Sequence, residues 1–107
     1  MKLNIISYII LALTVAFPAA GATLTQEADS AYMRDDFAEA TRLYLQIAET
    51  EGTSSDLYYN LGNCYYRQKQ PGKAILYYER ALRLDPSNED ARANLEFVNT
   101  KITDEPG

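Results

Sequence analysis

Residues Leu57–Pro86, LYYNLGNCYYRQKQPGKAILYYERALRLDP, constrain the chain more than any other stretch. Tyr58, Leu61 and Tyr65, then Ile75, Tyr78 and Leu82, recur at steps of three and four residues. That spacing gives each half an apolar stripe of helical period. Pro71 falls at the first turn of the second half, where a missing N–H costs nothing. Asp85-Pro86 ends it, because the residue before a proline is pushed out of the helical region. Two helices joined this tightly pack antiparallel, and they approach closely only where one presents a small residue. Gly62 and Ala74 are the candidates, and a bulkier side chain at either is expected to cost about 1–3 kcal/mol in overpacking.

The unit recurs. A shift of 34 residues carries Gly62 onto Ala28, Tyr66 onto Tyr32, Ala74 onto Ala40 and Tyr78 onto Tyr44. In a frame of that length starting at Ser55, Tyr58 is the large aromatic of the first helix and Leu61-Gly62 the adjoining pair. Tyr65 is the next aromatic, Ala74, Tyr78 and Ala81 follow on the second helix, and Pro86 closes the unit. This pattern resembles the tetratricopeptide repeat (TPR) family. The resemblance implies an all-α chain of helix-turn-helix repeats in an α-solenoid. Repeat 1 is expected over about residues 23–52, repeat 2 over about 55–86, and a C-terminal capping helix over about 88–102.

Local signals set the expected boundaries. Thr25–Arg34 reads as the first helix, with Thr23 or Thr25 as N-cap. Asp35-Asp36 makes a turn, and Asp36 with Glu39 matches a capping box. Phe37–Glu51 reads as the second helix, stopped by Gly52. Ser54 or Ser55 is expected to cap the third, and Ser87-x-x-Asp90 reads as another capping box. The last helix, Glu89–Ile102, carries Ala91, Leu95 and Val98 on one face, and residues 103–107 read as a polar tail. The first copy departs from the second at Glu27, which stands where Leu61 does, and at Ala31, which stands where Tyr65 does. Terminal repeats are often atypical because one face meets water. Such an array is short of the three repeats a solenoid generally needs. It reads as a barely self-sufficient domain, a dimer, or the front part of a longer protein.

The N-terminus differs from the rest. Lys2 gives a positive start, Ile5–Phe17 is almost wholly apolar, and Ala19-Ala20-Gly21-Ala22 follows Pro18. This is the three-part pattern of a secretory signal peptide over residues 1–22, with cleavage expected after Ala22 and Ala20 as a second site. The apolar run is about 13 residues against the ~20 that span a bilayer, which disfavours the alternative of an N-terminal membrane anchor. The expected location is beyond the inner membrane, in the periplasm.

Catalysis finds no support among the residues. There is no histidine, no glycine-rich phosphate loop and no GxSxG elbow. The 15 carboxylates are spread along helix faces and turns. Cys64, the lone cysteine, reads as a small buried core residue. No enzyme activity, cofactor or metal site is expected. A net charge of −5 without a basic stripe also argues against nucleic acid.

The family resemblance implies a concave binding face lined by the first helix of each repeat. Its lining positions fall on Asp56, Tyr59, Asn63, Tyr66 and Arg67 in the second repeat. Thr25, Asp29, Tyr32 and Met33 supply the first, and Asp90, Ala93 and Phe97 the capping helix. The expected groove is Tyr32, Asp56, Tyr59, Asn63, Tyr66, Arg67 and Phe97, with Tyr58, Tyr65 and Tyr78 packed between helices. Tyrosine supplies rigid contact area with a polar tip, and asparagine can clamp a backbone amide. The chaperone-binding subtype grips a terminal carboxylate with lysine, arginine and asparagine. Here only Asn60 matches that set, and Thr25, Asp29, Asp90 and Asn94 occupy the other places. Two acids where cations are needed repel a carboxylate.

Leu57–Tyr66, Gly72–Leu84 and Asn94–Val98 together resemble the TPR portion of BatE-type proteins from bacterial aerotolerance operons. That resemblance implies a scaffold that binds a protein or peptide partner in a membrane-associated cell-envelope complex linked to oxidative stress. The alternatives are a self-associating structural element, a homodimer, and a non-catalytic subunit that positions an envelope enzyme.

Overall fold

The computed structural model describes residues 21–104, and residues 1–22, the segment read as a signal peptide, fall almost wholly outside them. Five helices follow one another: α1 (Leu24–Met33), α2 (Phe37–Thr50), α3 (Ser55–Arg67), α4 (Pro71–Leu84) and α5 (Glu89–Asp104). No strand occurs among the described residues, and α1–α2 and α3–α4 are antiparallel pairs stacked into an α-solenoid. Helix α5 lies mainly against α4.

Helices α1, α2, α3 and α5 start where a side chain satisfies an otherwise orphaned N–H, whereas α4 has no side-chain cap and starts on Pro71, which has no N–H to satisfy. Thr23 caps α1 in a full capping box with Gln26, and Ser54 caps α3 through the Leu57 N–H at 3.1 Å. The box expected at Asp36 and Glu39 is only half formed. Asp36 Oδ1 accepts the Glu39 N–H at 3.3 Å, but the Glu39 carboxylate turns to Arg42 at 2.5 Å. The N–H of Asp36 donates instead to Ala31 O, closing the end of α1. The box expected at Ser87 and Asp90 does not form. Asn88 caps α5 through the Ala91 N–H, while the Ser87 N–H and hydroxyl are both taken by the Asp85 carboxylate. A charged acceptor two residues back outcompetes the turn ahead. Helix α5 also runs on through Thr103 and Asp104, which were expected in the tail.

The two intra-pair turns are copies. Asp36 N and Gln70 N each reach back five residues, to Ala31 O and Tyr65 O at 2.9 Å. Asp35 and Lys69, 34 residues apart, both sit at φ 62°. This is a Schellman-type stop, with the left-handed position filled by residues other than glycine. Gly52 serves α2 the same way at φ 108°.

The core is a continuous seam of Ala28, Ala31, Ala40, Leu43, Tyr44, Ile47, Leu57, Leu61, Cys64, Tyr65, Ala74, Tyr78 and Val98. Gly62 matters through Tyr78: its missing side chain leaves the room that the Tyr78 ring fills. Polar bonds tie one pair to the next. The Gln68 amide donates to Thr41 Oγ1 at 2.8 Å and to Cys64 O at 3.0 Å, joining α3 to α2. The Ser55 hydroxyl donates to Ala81 O and accepts from Asn88 Nδ2, both at 2.8 Å, joining α3 to the α4–α5 corner.

Candidate functional site

Helices α1, α3 and α5 share one side of the stack. On it Tyr32, Tyr59, Asn63, Tyr66, Arg67 and Phe97 line a cleft of about 280 Å³, with Tyr78, Asn94 and Val98 as its floor and far wall. Six of the seven residues expected to form a groove therefore converge on one cavity. Asp56 does not: it is exposed in the first turn of α3 and lines no part of the cleft. Thr25, Asp29, Met33, Asp90 and Ala93 are exposed and likewise outside the cleft. Tyr59 and Tyr66 are half-buried, whereas Tyr65 and Tyr78 are buried and Tyr58 packs against Tyr77. The helical period explains the split, since Tyr59 and Tyr66 lie two turns apart on the flank of the apolar stripe.

Two hydrogen bonds fix the floor, and they repeat with the chain. The Tyr78 hydroxyl donates to Asn63 Oδ1 at 2.5 Å, and the Tyr44 hydroxyl to Asp29 Oδ1 at 2.6 Å. Burial raises the pKa of both hydroxyls above the ordinary tyrosine value, and at Tyr44 the Asp29 carboxylate pushes the same way. Both stay protonated donors. Asn63 Oδ1 also accepts from Asn94 Nδ2 at 2.9 Å. Two donors on one oxygen settle the orientation of the Asn63 amide, so its NH₂ is the group left for anything entering the cleft.

Arg67 stands at the cleft edge. Its guanidinium lies 4.5 Å from the centroid of the Phe37 ring and 4.0 Å from Asp35. Both ionic side chains are at least half exposed, so that pair contributes little. Burial raises the Tyr32 hydroxyl above its ordinary value, with neighbouring Arg67 opposing. Beyond Arg67 a second, larger cavity of about 600 Å³ opens, lined by Tyr66, Arg67, Lys69, Pro71, Lys101 and Ile102. Tyr66 and Arg67 belong to both cavities. The Phe97 ring packs edge-on against Tyr66, with centroids 5.8 Å apart, and Lys101 lies over its other side at 5.7 Å.

Lys69, Lys101 and Asn94 were not foreseen as site residues. A signal for Lys101 existed, because it stands 34 residues after Arg67 and so occupies the same position on the next first helix. Cys64 is fully buried, and desolvation pushes its thiol up to about 11, the opposite of an activated nucleophile. Among the described residues no cluster of histidine, cysteine or carboxylate side chains could hold a metal ion, and no helix is long and apolar enough to cross a membrane.

Residues 55–88 match the tetratricopeptide repeat family. No curated protein matches the chain. The matched segment is the α3–α4 pair with its connection to α5, so helix-turn-helix geometry and repeat pattern agree. Tetratricopeptide repeats generally mediate protein–protein interaction, and the all-helical fold they build is typically a non-catalytic scaffold.

Proposed function

We propose that the chain is an interaction scaffold that holds a segment of a partner protein in the cleft formed by α1, α3 and α5. One observation carries this reading: Tyr32, Tyr59, Asn63, Tyr66, Arg67 and Phe97, from three different helices, line a single cavity. Its chemistry suits a peptide. Half-buried aromatic rings offer contact area at low entropic cost, the Asn63 amide is a fixed donor for a backbone carbonyl, and arginine with aromatics are the usual anchors of such interfaces. The proposed setting is the cell envelope, after export and cleavage following Ala22, in a complex linked to aerotolerance. The N-terminal pattern of Lys2, an apolar run and Ala20-Gly21-Ala22 supports export, and the resemblance of Leu57–Tyr66 and Gly72–Leu84 to BatE-type proteins supports the rest.

The test is a capture from envelope extract with the native chain beside a Tyr66→Ala/Arg67→Ala/Phe97→Ala variant of unchanged helicity. A partner held by the native chain and lost by the variant is the expected result. Equal capture by both would remove the cleft from consideration. The mass of the chain recovered from the envelope fraction tests cleavage after Ala22.

A further inference from the structure

The chain holds 15 acidic and 10 basic residues. The lining of the two adjoining cavities departs from that balance. Among the described residues, the two linings hold three cations, Arg67, Lys69 and Lys101, and no carboxylate. The nearest acid known to touch these cations, Asp35, meets Arg67 at 4.0 Å and is itself largely exposed, so it neutralises little of their field. Acidic residues gather at the opposite edge of the same face, where Asp56 opens α3 and Glu89 and Asp90 open α5. On α3 and α5 the first turn is acidic and the last turn carries Arg67 and Lys101, whereas α1 has no basic residue in its last turn.

The repeat builds the basic edge. Arg67 and Lys101 occupy the same register position on α3 and α5, so their charges line up along the direction in which the helices stack. Lys69 adds a third from a left-handed position at φ 62°. Beside them sit the Tyr66 and Phe97 rings, and Phe97 remains about half exposed (49%). These are not the places that grip a terminal carboxylate in chaperone-binding repeats, which here hold Thr25, Asp29, Asn60, Asp90 and Asn94.

We propose that the partner segment is acidic: an extended stretch whose side-chain carboxylates lie along Arg67, Lys69 and Lys101, with a neighbouring aromatic residue against Tyr66 and Phe97. This rests on the reading of the cleft as a peptide site and names the chemistry of its occupant. Charge complementarity selects the partner. A basic segment would meet three cations with no carboxylate among the described lining residues, and an uncharged one would leave the cations unused.

The test is fluorescence anisotropy with the purified full chain and labelled ten-residue probes. One probe carries a phenylalanine followed by four glutamates among glycine and serine. The others replace the glutamates with glutamines or with lysines. The glutamate probe is expected to bind about tenfold tighter than the glutamine probe at low salt, as two or three exposed ion pairs allow. That preference should shrink above about 0.15 M salt. Arg67→Gln/Lys101→Gln should reduce the preference to about twofold or less, since surface pairs are worth little singly. Arg42→Gln, which removes the same charge on α2, should leave the preference intact. Phe97→Ala should weaken both probes alike. Equal affinity for the two probes, absence of binding by either, tighter binding of the lysine probe, or a preference surviving in the double variant would each overturn the inference. So would tighter binding of a single-stranded oligonucleotide of matching charge. Should the preference be absent while the Tyr66/Arg67/Phe97 variant still loses its captured partner, the cleft reading stands and only the acidic character of the segment falls.

Discussion

Gly62→Ala is the sharpest test of how the second helix pair is held. Exchanging glycine for alanine inside a helix ordinarily stabilises by about 1 kcal/mol. Here the new Cβ would lie 2.5 and 2.6 Å from Cε1 and Cδ1 of Tyr78 and 3.0 Å from Cζ, well inside contact distance. The ring has nowhere to go. Tyr78 is 1% exposed, and its hydroxyl is tethered to Asn63. Relief therefore requires moving α4 outward, at about 1–3 kcal/mol of overpacking, and with it breaking the hydroxyl bond, for about 1 kcal/mol more. After the helix-propensity gain is set against these costs, the net loss is about 2 kcal/mol. For a domain of this size that lowers the melting temperature by about 10 °C. Thermal unfolding followed by far-UV circular dichroism reads it directly. A double-mutant cycle with Tyr78→Leu should show that the penalty needs the ring, with a coupling of about 1 kcal/mol or more. Repeat 1 supplies an internal contrast, because Ala28 and Tyr44 stand at the equivalent places and both are buried. That pair is built around a methyl group, so Ala28→Gly should also destabilise, by about 1 kcal/mol. A melting temperature for Gly62→Ala that is unchanged or higher would refute the claim that the Tyr78 ring sets the α3–α4 spacing.

Three further outcomes are expected. Gln68→Ala should cost about 1 kcal/mol and raise hydrogen exchange at the α2–α3 seam, because it removes the amide that joins Thr41 Oγ1 to Cys64 O; exchange that rises only at the chain ends would count against that bridge. Lys69→Gly should raise the melting temperature by a few degrees, since a lysine at φ 62° carries about 1–2 kcal/mol that glycine largely avoids; a fall would mean that the turn does not hold that conformation in solution. Stability should decline in alkali. The Cys64 thiol is raised from 9.0 to about 11, so its contribution is complete below pH 9 and is lost as pH climbs toward 11; the raised Tyr44 and Tyr78 hydroxyls extend the loss beyond pH 10. Denaturant midpoints from pH 7 to 11 check this, and a Cys64→Ala variant should show a shallower fall at the start of the window.

The helix pairs were legible because helical period, Pro71 and the 34-residue register all report on one chain in one way. The caps were less so. Ser87-x-x-Asp90 carries the residue types of a capping box, yet Asp85 takes both Ser87 donors and Asn88 does the capping. The pattern does not say which of several nearby acceptors is closest. Glu39 failed the same way, because Arg42 one turn on offered it a charge. In the cleft, side-chain identity at six positions could be read from register. That Asn63 would spend its oxygen on Tyr78 and Asn94 could not, since it depends on rotamers and on the distance between α3, α4 and α5. Lys101 needed only one more step of the register, and Lys69 needed the shape of the turn.

The register also bears on which face of α5 is apolar. On α3, Tyr58, Gly62 and Tyr65 face α4. The same positions on α5 are Arg92, Glu96 and Asn99, all exposed. A helix laid against that face would meet a charge where Gly62 makes room for Tyr78. So α5 turns Ala91, Leu95 and Val98 inward and a polar side outward. Its two large apolar side chains that stay exposed, Phe97 and Ile102, are elsewhere: each lines one of the two cavities. The exposed apolar surface of α5 therefore lies at the cleft and not on the Arg92–Asn99 face.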